Sequence, residues 1–183
     1  MADDMSSQKA GLPAQSRYIT THDADGRSIF SNAIEDAAIY EEITPEVDFF
    51  LAYANTTFPA KLSEDLDLGV YKEMLNESQP PLSICGGTVL RVCNFAPGSS
   101  TPMHRTISLD FGIVASGEVE PVLDSGETRL LRTGDIDVQR GTMHAWRTPS
   151  KTEWSRMVFI LQEAEQFSVG GETLQDDYGG IPL

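Results

Sequence analysis

Three side chains, His104, Asp110 and His144, are the candidates for transferring protons or binding a divalent metal. His104 follows the turn-forming segment PGSSTP, Asp110 comes later in the same predicted strand, and His144 follows a second turn. Two imidazoles and a carboxylate can hold a metal with positions left open for a substrate. The same groups can also remove and return a proton near neutral pH. The remaining histidine, His22, is interpreted as a structural residue.

The spacing of these residues does not by itself assemble one site. His104, Thr106 and Asp110 share parity, so their side chains would face the same way on an undistorted strand beginning at His104. At ~3.3 Å per residue, His104 and Asp110 would then be ~20 Å apart, which is too far for one metal. Periodicity alone therefore does not assemble the site unless the strand bulges or bends. Thr106 would line the pocket or act as a weak ligand.

Two further residues are candidates for binding a substrate. Trp146 shares parity with His144 and could offer a flat wall to an aromatic or polyene substrate, although it would serve equally well in the core. Arg91 lies in the apolar segment TVLRVCNF, where an arginine must find a partner or face a polar cavity. Facing inward, Arg91 would bind a carboxylate or enolate oxygen; facing outward, it would be a surface residue. Both interpretations stay open.

These candidates lie in a chain of short strand-like segments separated by turns. The segments are RYITTHD, GRSIF, DFFLAYANTT, TVLRVCNF, ISLDFGIVASG, EVEPVLD, TRLLR, IDVQR, MHAWRT and WSRMVFILQ. Such short, regularly punctuated strands indicate a β-sandwich or a closed barrel. One short helix is predicted in SEDLDLGVYKEML, ending before Pro80. Ser63 is its expected N-cap, and apolar residues recur at helical spacing, namely Leu66, Val70, Met74 and Leu75.

The length of 183 residues fits one folded domain. Residues 1–16 are polar and are predicted to form a disordered leader, and residues 17–167 are predicted to form the domain. Residues 168–183, rich in Gly and Asp, are expected to be a tail outside the core. The last strand, WSRMVFILQ, is apolar on both faces, so one face needs a cover beyond a single barrel. Residues 17–57 could cover it within one chain or by a swap, and a homodimer is expected.

Composition argues against several classes of partner. The formal charge of −15 opposes binding to nucleic acid and to anionic membrane surfaces. No apolar run approaches the ~18 residues that cross a bilayer, and the N-terminus lacks the pattern of a secretory signal. The two cysteines, Cys85 and Cys93, are expected to be reduced thiols packed as small hydrophobes. A cytoplasmic protein acting on a small molecule is therefore predicted.

Two segments of the chain resemble the sequence motifs of the cupin superfamily. Residues 98–117, GSSTPMHRTISLDFGIVASG, are similar to the first cupin motif, with Gly98, His104, Asp110 and Gly117 at matching places. Thr106 stands where the family usually has a second histidine, and Asp110 stands where it has glutamate. Residues 134–148, GDIDVQRGTMHAWRT, are similar to the second motif, with matches at Gly134, Gly141 and His144. The likeness spans about residues 88–162.

The resemblance implies an all-β fold, a single jelly-roll barrel with an N-terminal extension of strands and one short helix. It also implies that His104, Asp110 and His144 converge inside the barrel on a divalent metal, typically iron, manganese, nickel or zinc. Because the ligand set is incomplete, a metal-free acid–base site at the same residues stays an alternative. In size and motif style the chain resembles the stand-alone cupins of microbial secondary-metabolite pathways.

The favoured function is that of a lyase or isomerase acting on an oxygenated, polyketide-like metabolite by dehydration, decarboxylation or a proton-shift cyclisation. His104 or His144 would remove a proton next to a carbonyl, while a metal or an inward Arg91 stabilises the enolate. Asp110 would orient a histidine or complete a metal site. The alternatives are an Fe(II)-dependent dioxygenase and a non-catalytic cupin that binds a small ligand.

Overall fold

The computed structural model of the protein describes residues 11–76 and 80–181. In chain order the strands are β1 Thr20–His22, β2 Ser28–Phe30, β3 Glu41–Thr44, β4 Val47–Asn55, β5 Thr88–Phe95, β6 Ser108–Ser116, β7 Glu118–Leu123, β8 Leu131–Arg132, β9 Ile136–Arg140, β10 His144–Arg147, β11 Ser155–Glu163, β12 Ser168–Val169 and β13 Glu172–Thr173. A 3-10 turn, Ser63–Asp65, leads into the single α-helix among these residues, α1, Leu66–Asn76. None of the helices in the described ranges is long and apolar enough to cross a membrane.

Two antiparallel sheets enclose the core. The larger sheet has six strands in the order β3-β4-β5-β11-β6-β9, and the smaller has three in the order β10-β7-β8. The main apolar cluster takes Phe49 and Val89 from the larger sheet and Val119 and Trp146 from the smaller one. Strands that each bury one face against a facing sheet form a jelly roll. The predicted all-β fold with one short helix is confirmed.

Helix α1 forms where the sequence predicts it, but two details of that prediction are wrong. Ser63 lies inside the 3-10 turn, and the N-cap residue, Leu62, makes no side-chain capping hydrogen bond. The helix buries Leu68 and Tyr71, whereas Leu66 is 55% exposed. The reason is the aromatic residue: the Tyr71 hydroxyl donates a hydrogen bond of 2.7 Å to the backbone of β4, which turns this face of the helix inward.

The outer face of the larger sheet is covered by the N-terminal part of the same chain. Leu12 is 2% exposed, and the Arg156 guanidinium on β11 donates a hydrogen bond of 2.8 Å to the carbonyl of Pro13. Tyr40 packs on Phe50 of β4, with ring centroids 5.6 Å apart. Leu12 thus packs against the sheet and shields apolar surface that the sheet would otherwise expose. The disordered leader over residues 1–16 stays a prediction. The prediction for residues 1–10 lies outside the described residues.

The two thiols occupy different environments. Both cysteines are free, but only Cys93, on β5, is buried, while Cys85 is exposed in the loop before that strand. The expectation that both pack as small hydrophobes is therefore wrong for Cys85. The segment TRLLR also forms less strand than expected, because β8 contains only Leu131 and Arg132, while Thr128 makes an isolated bridge with Val122 of β7.

Gly87 is a position where the fold has no room for a side chain. A Cβ placed on it would lie 2.1 Å from the carbonyl oxygen of Asn55 at the end of β4. We expect Gly87→Ala to lower the free energy of unfolding by about 1–3 kcal/mol, as overpacking does in general. Gly69→Ala is the control, because an added Cβ in helix α1 meets nothing within 4 Å. That change should instead stabilise by about 0.5–1 kcal/mol. Urea denaturation measures both, and equal effects would contradict the prediction.

Candidate functional site

A pair of histidines held by the main chain forms the centre of the site. The backbone amide of His104 donates to the carbonyl of His144 at 2.8 Å, and the reverse hydrogen bond is 2.9 Å long. Residues paired in this way in antiparallel strands carry their side chains side by side on one face. The two imidazole rings are accordingly adjacent, with centroids 4.4 Å apart. The backbone therefore brings together two residues that lie far apart in the sequence.

The hydrogen bonds of the two rings leave the same nitrogen free in each. The Nδ1 atom of His104 lies 2.9 Å from the carbonyl oxygen of Pro102, and Nδ1 of His144 lies 2.9 Å from that of Thr142. Since a carbonyl oxygen only accepts, each neutral ring carries its proton on Nδ1. Each Nε2 then presents a lone pair, which suits a general base or a metal ligand.

Burial keeps both imidazoles neutral. Desolvation lowers the pKa of His144 to about 4, and the neighbouring His104 adds to the shift. Burial also lowers the pKa of His104, although its hydrogen bond to the Pro102 carbonyl acts in the opposite direction. Both rings are therefore unprotonated near neutral pH and able to accept a proton.

Asp110 faces the same cavity from β6 and accepts a hydrogen bond at the end of a short chain of hydroxyl groups. The Ser108 hydroxyl donates to the Thr106 hydroxyl at 2.7 Å, which in turn donates to Oδ2 of Asp110 at 3.2 Å. No described residue donates a hydrogen bond to Oδ1, which is buried. Burial raises the pKa of the Asp110 carboxyl to about 6, against the opposite effect of the neighbouring Ser108 and Thr106 hydroxyl groups.

The prediction that His104 begins a strand is wrong. The irregular backbone found there instead brings the site residues together. His104 sits in an isolated bridge, and regular β6 begins only at Ser108. In an extended strand Thr106 and Asp110 would be ~13 Å apart, yet their side chains share a hydrogen bond. The irregular stretch 104–107 supplies the bend that the spacing requires. It brings Thr106 and Asp110 into the cavity that His104 and His144 also line.

Arg91 faces inward from β5. Its side chain is 2% exposed and lines the cavity with the histidines and Asp110. One guanidinium nitrogen donates to the carbonyl of Pro80 at 3.0 Å, and Cζ lies 5.0 Å from the centre of the Phe49 ring. No described residue accepts a hydrogen bond from Nε or Nη1. Arg91 therefore offers two unpaired donors and a positive charge inside the barrel.

Trp146 is both a core residue and a wall of the cavity. It is 4% exposed, and its ring packs edge-on against Phe159 and against His144, with centroids 5.2 Å and 5.4 Å away. The two interpretations of Trp146 in the sequence are thus compatible. All six predicted site residues line this one cavity: Arg91, His104, Thr106, Asp110, His144 and Trp146.

Sequence reasoning missed other residues of the cavity. Gln139 on β9 lies opposite Asp110, and its amide is held by hydrogen bonds to Asp137 and Thr142. The sequence signal for Gln139 was its place in the second motif, two residues after Asp137 and therefore on the same face of the strand. Ile181 reaches the cavity from the C-terminal tail, and no local signal indicates this. The cavity itself is small, with a volume of about 60 Å³.

The described residues do not by themselves assemble a three-ligand metal centre. They contain no group of three or more His, Cys, Asp or Glu side chains placed to hold a metal ion together. The two Nε2 lone pairs suit two positions of such a site, but Asp110 is bound to Thr106 and shorter than the glutamate of the motif. The predicted ligand set of His104, Asp110 and His144 therefore stays a prediction.

The raised pKa of Asp110 predicts a stability effect of fixed sign. Between pH ~4 and 6 the folded protein holds this proton while the unfolded chain has lost it, so this group makes stability fall as pH rises. A shift of about two units corresponds to roughly 3 kcal/mol. Asp110→Asn should therefore match the unchanged protein near pH 4 and be more stable above pH 6. Urea denaturation in EDTA from pH 4 to 8 measures the difference.

His144 provides the internal check on that experiment. Its lowered pKa acts with the opposite sign, because the unfolded chain binds a proton between pH ~4 and 6.5 that the folded protein does not. In the unchanged protein the two effects oppose each other, so Asp110→Asn should reveal stability that rises with pH in this window. An Asp110→Asn protein that is less stable than the unchanged protein at pH 7 would contradict the prediction.

Comparison with known proteins gives a consistent set of relatives. The chain is 44% identical to Phomopsin biosynthesis cluster protein C' of Diaporthe leptostromiformis, over 99% of this chain and 93% of the relative. It is 43% identical to Oryzines biosynthesis cluster protein J of Aspergillus oryzae, over 93% of this chain and 94% of the relative. No protein-family model matches the chain.

A third relative carries the name of the domain. The chain is 37% identical to the cupin-domain-containing oxidoreductase fogC of Aspergillus ruber, over 93% of this chain and 87% of the relative. Among solved structures, a Cupin 2 conserved barrel domain protein from Salinispora arenicola aligns with 42% of this chain and 64% of its own, at 27% identity and a TM-score of 0.39. The identity and coverage of the sequence relatives show that the chain belongs to the cupin family, in a group that includes biosynthesis cluster proteins and cupin-domain-containing oxidoreductases.

Proposed function

We propose that the protein is a small-molecule enzyme with lyase or isomerase chemistry, which removes and returns a proton next to a carbonyl group. Its substrate would be an oxygenated, polyketide-like metabolite, and the reaction a dehydration, a decarboxylation or a proton-shift cyclisation. The names of relatives from biosynthesis clusters support a role with a small metabolite. The observation that carries the proposal is a pair of histidines, each with Nδ1 committed to a backbone carbonyl, lining one cavity with a buried guanidinium whose Nε and Nη1 have no acceptor among the described residues.

The proposed roles follow from the charge of each group. His104 or His144 accepts the proton, because both rings are neutral and their Nδ1 atoms already donate to backbone carbonyls. Arg91 stabilises the enolate oxygen with the donors on Nε and Nη1. Asp110, with a pKa of about 6, is protonated often enough near neutral pH to return a proton. Thr106 and Trp146 shape the space in which the substrate binds.

Exchange of carbon-bound protons tests this proposal without knowledge of the natural substrate. Pyruvate is a suitable probe, because it carries a carboxylate for Arg91 and a methyl group next to a ketone. Incubated with the protein in deuterium oxide, its methyl protons should be replaced by deuterium faster than in buffer, as followed by proton NMR. Pyruvate that binds with an Arg91-dependent affinity but does not exchange would favour the non-catalytic ligand-binding alternative.

A metal-dependent dioxygenase is the second candidate, and the names of several relatives favour it. Proteins 36–37% identical to this chain are named cupin-domain-containing oxidoreductases. A divalent metal such as iron, manganese, nickel or zinc would be held by His104, His144 and Asp110 in this function. Metal analysis of the unchanged protein and of a His104→Ala/His144→Ala double variant tests the ligands. Oxygen uptake after addition of Fe(II) separates this candidate from the first.

We also propose that the protein is a cytoplasmic homodimer. Ile136 and Val138 of the edge strand β9 are 62% and 50% exposed on the outer face of the larger sheet. There they pair with Ile113 and Phe111 of β6, so they continue an apolar surface. The N-terminal segment covers the other end of this sheet, which leaves a second copy of the chain as the proposed cover here. Sedimentation equilibrium tests the dimer.

A further inference from the structure

The cavity around the histidines adjoins a larger one near the β3–β4 hairpin. The inner cavity, about 60 Å³, is the one lined by His104, His144 and Arg91. The outer cavity, about 370 Å³, is lined by residues 43–47 and 100–102 together with Phe49, Gly180 and Ile181. Phe49, Thr101 and Ile181 line both cavities. The inner cavity alone is far smaller than the ~300 Å³ or more of ordinary ligand sites, so a metabolite needs further space.

The C-terminal tail supplies part of the boundary between the two cavities. Its residue Asp177 pairs with Arg105 through backbone hydrogen bonds of 2.6 Å and 2.8 Å. The Asp176 carboxylate accepts a hydrogen bond of 2.6 Å from the amide of Ile107. These contacts fix the tail beside the irregular stretch that carries His104. Residues 178–181 continue from this anchor to the cavities. The tail, which is expected to lie outside the core, thus supplies Gly180 and Ile181 to the lining of the outer cavity.

The final stretch of the tail rests on a close backbone contact. Gly179 has a φ of 59°, and a Cβ placed there would lie 2.1 Å from the carbonyl oxygen of Met103, next to His104. Ile181 follows after a turn closed by its own amide hydrogen bond of 2.9 Å to Tyr178. The seating of the isoleucine side chain therefore depends on a glycine at 179.

We propose that Ile181 is a specificity-determining residue that separates the inner from the outer cavity. Its side chain decides which molecules extend from one cavity into the other. The inner cavity takes a compact anionic head, because Arg91 provides a positive charge and unpaired donors there. The outer cavity takes an apolar body, because Ile43, Val47, Phe49 and Pro102 line it. Substrates would thus be acids or enolisable carbonyl compounds with an apolar substituent. The anionic head rests on the proposed function, whereas the separation by Ile181 does not.

Chemical access to the histidines tests the separation directly. Diethyl pyrocarbonate acylates neutral imidazoles, and the exposed His22 serves as an internal reference in the same molecule. In the unchanged protein His104 and His144 should react more slowly than His22. Ile181→Ala should raise their rates about tenfold or more, since removing the half-buried side chain that lines both cavities favours local opening. Val169→Ala removes an exposed apolar side chain from the same tail and should change nothing.

A pair of glycine variants gives a second, independent test of the tail. Gly179→Ala and Gly170→Ala place a side chain at similar positive φ angles of 59° and 62°. An added Cβ at 179 overlaps the Met103 carbonyl, whereas one at 170 meets nothing within 4 Å. Acylation of His104 and His144 should therefore accelerate only in Gly179→Ala. Histidines that react as fast as His22 in the unchanged protein, or rates unaffected by Ile181→Ala and Gly179→Ala, would overturn the proposal.

Binding of straight-chain carboxylates from acetate to octanoate, measured by calorimetry, tests the substrate class. In Ile181→Ala each added methylene should raise affinity about fourfold as the chain enters the outer cavity. In the unchanged protein this gain should be smaller, and acetate should bind both proteins equally. The same chain-length dependence in both would overturn the role of Ile181 in specificity. If acylation depends on Ile181 but no carboxylate binds, the claim that the inner cavity binds an anionic group would be overturned, and with it the proposed role of Arg91.

Discussion

Replacing His104 or His144 with alanine is expected to lower the rate of deuterium exchange into pyruvate by 10²- to 10⁴-fold, the usual contribution of a general base. Each ring presents a free Nε2 to the cavity, and each is neutral near pH 7 because burial lowers its pKa. Alanine at either position keeps the backbone hydrogen bonds between residues 104 and 144. The loss should therefore appear as a loss of rate in a folded protein.

His22→Ala is the matched control for this experiment, because His22 is an exposed histidine on β1. It should exchange at the rate of the unchanged protein. Adding imidazole to the buffer should partly restore exchange in the alanine variant that lacks the base, and this identifies which of the two rings accepts the proton. Both alanine variants exchanging at the rate of the unchanged protein would contradict the proposed acid–base role.

Replacing Arg91 with methionine is expected to stabilise the protein while it weakens anion binding. Arg91 is buried, and no described residue accepts a hydrogen bond from Nε or Nη1, so the described residues compensate its charge poorly. Exchanging buried charged groups for apolar side chains of similar volume commonly gains about 1–4 kcal/mol. Losing charge-assisted hydrogen bonds to the ligand costs about 1.5–3 kcal/mol, or roughly 10- to 150-fold in the dissociation constant of pyruvate.

Arg156→Met tests whether these effects belong to the cavity. Arg156 is equally buried on the neighbouring strand β11, but it lies on the outer face and its guanidinium is satisfied. It donates 2.7 Å and 2.8 Å hydrogen bonds to Asn94 and to Pro13. Its replacement should destabilise the protein and leave pyruvate binding unchanged. Urea denaturation and calorimetry measure both variants, and an Arg91→Met protein that unfolds more easily with unaltered binding would contradict the prediction.

The sequence predicts the strands of this protein well, because alternation and turns are local properties. The segment TVLRVCNF, for example, forms β5 from its first residue to its last. Parity places Asp110 correctly on the inner face of β6. The predicted strand fails at His104, because the bend in residues 104–107 is set by the pairing of His104 with His144 and of Arg105 with Asp177. Local periodicity contains no information about such contacts.

Other features depend on tertiary packing and could not be predicted in the same way. The direction of Arg91 stays open in the sequence because an arginine on a strand is compatible with either face. The packing of Leu12 and the position of Ile181 come from chain ends that are polar or rich in glycine. Their structure arises from the surfaces that they cover. Composition therefore predicts disorder or a loose tail where parts of both segments pack against the rest of the fold.

The reciprocal main-chain hydrogen bonds between positions 104 and 144 hold the backbone of the site, whereas the side chains at these positions provide its chemistry. The spacing of these two positions does not depend on which side chains they carry. A single codon change at either position would exchange an imidazole for a thiol, carboxylate or amide on an unaltered scaffold. Duplicated copies of such a gene could thus diverge in reaction type through one substitution each, without first having to acquire a new fold.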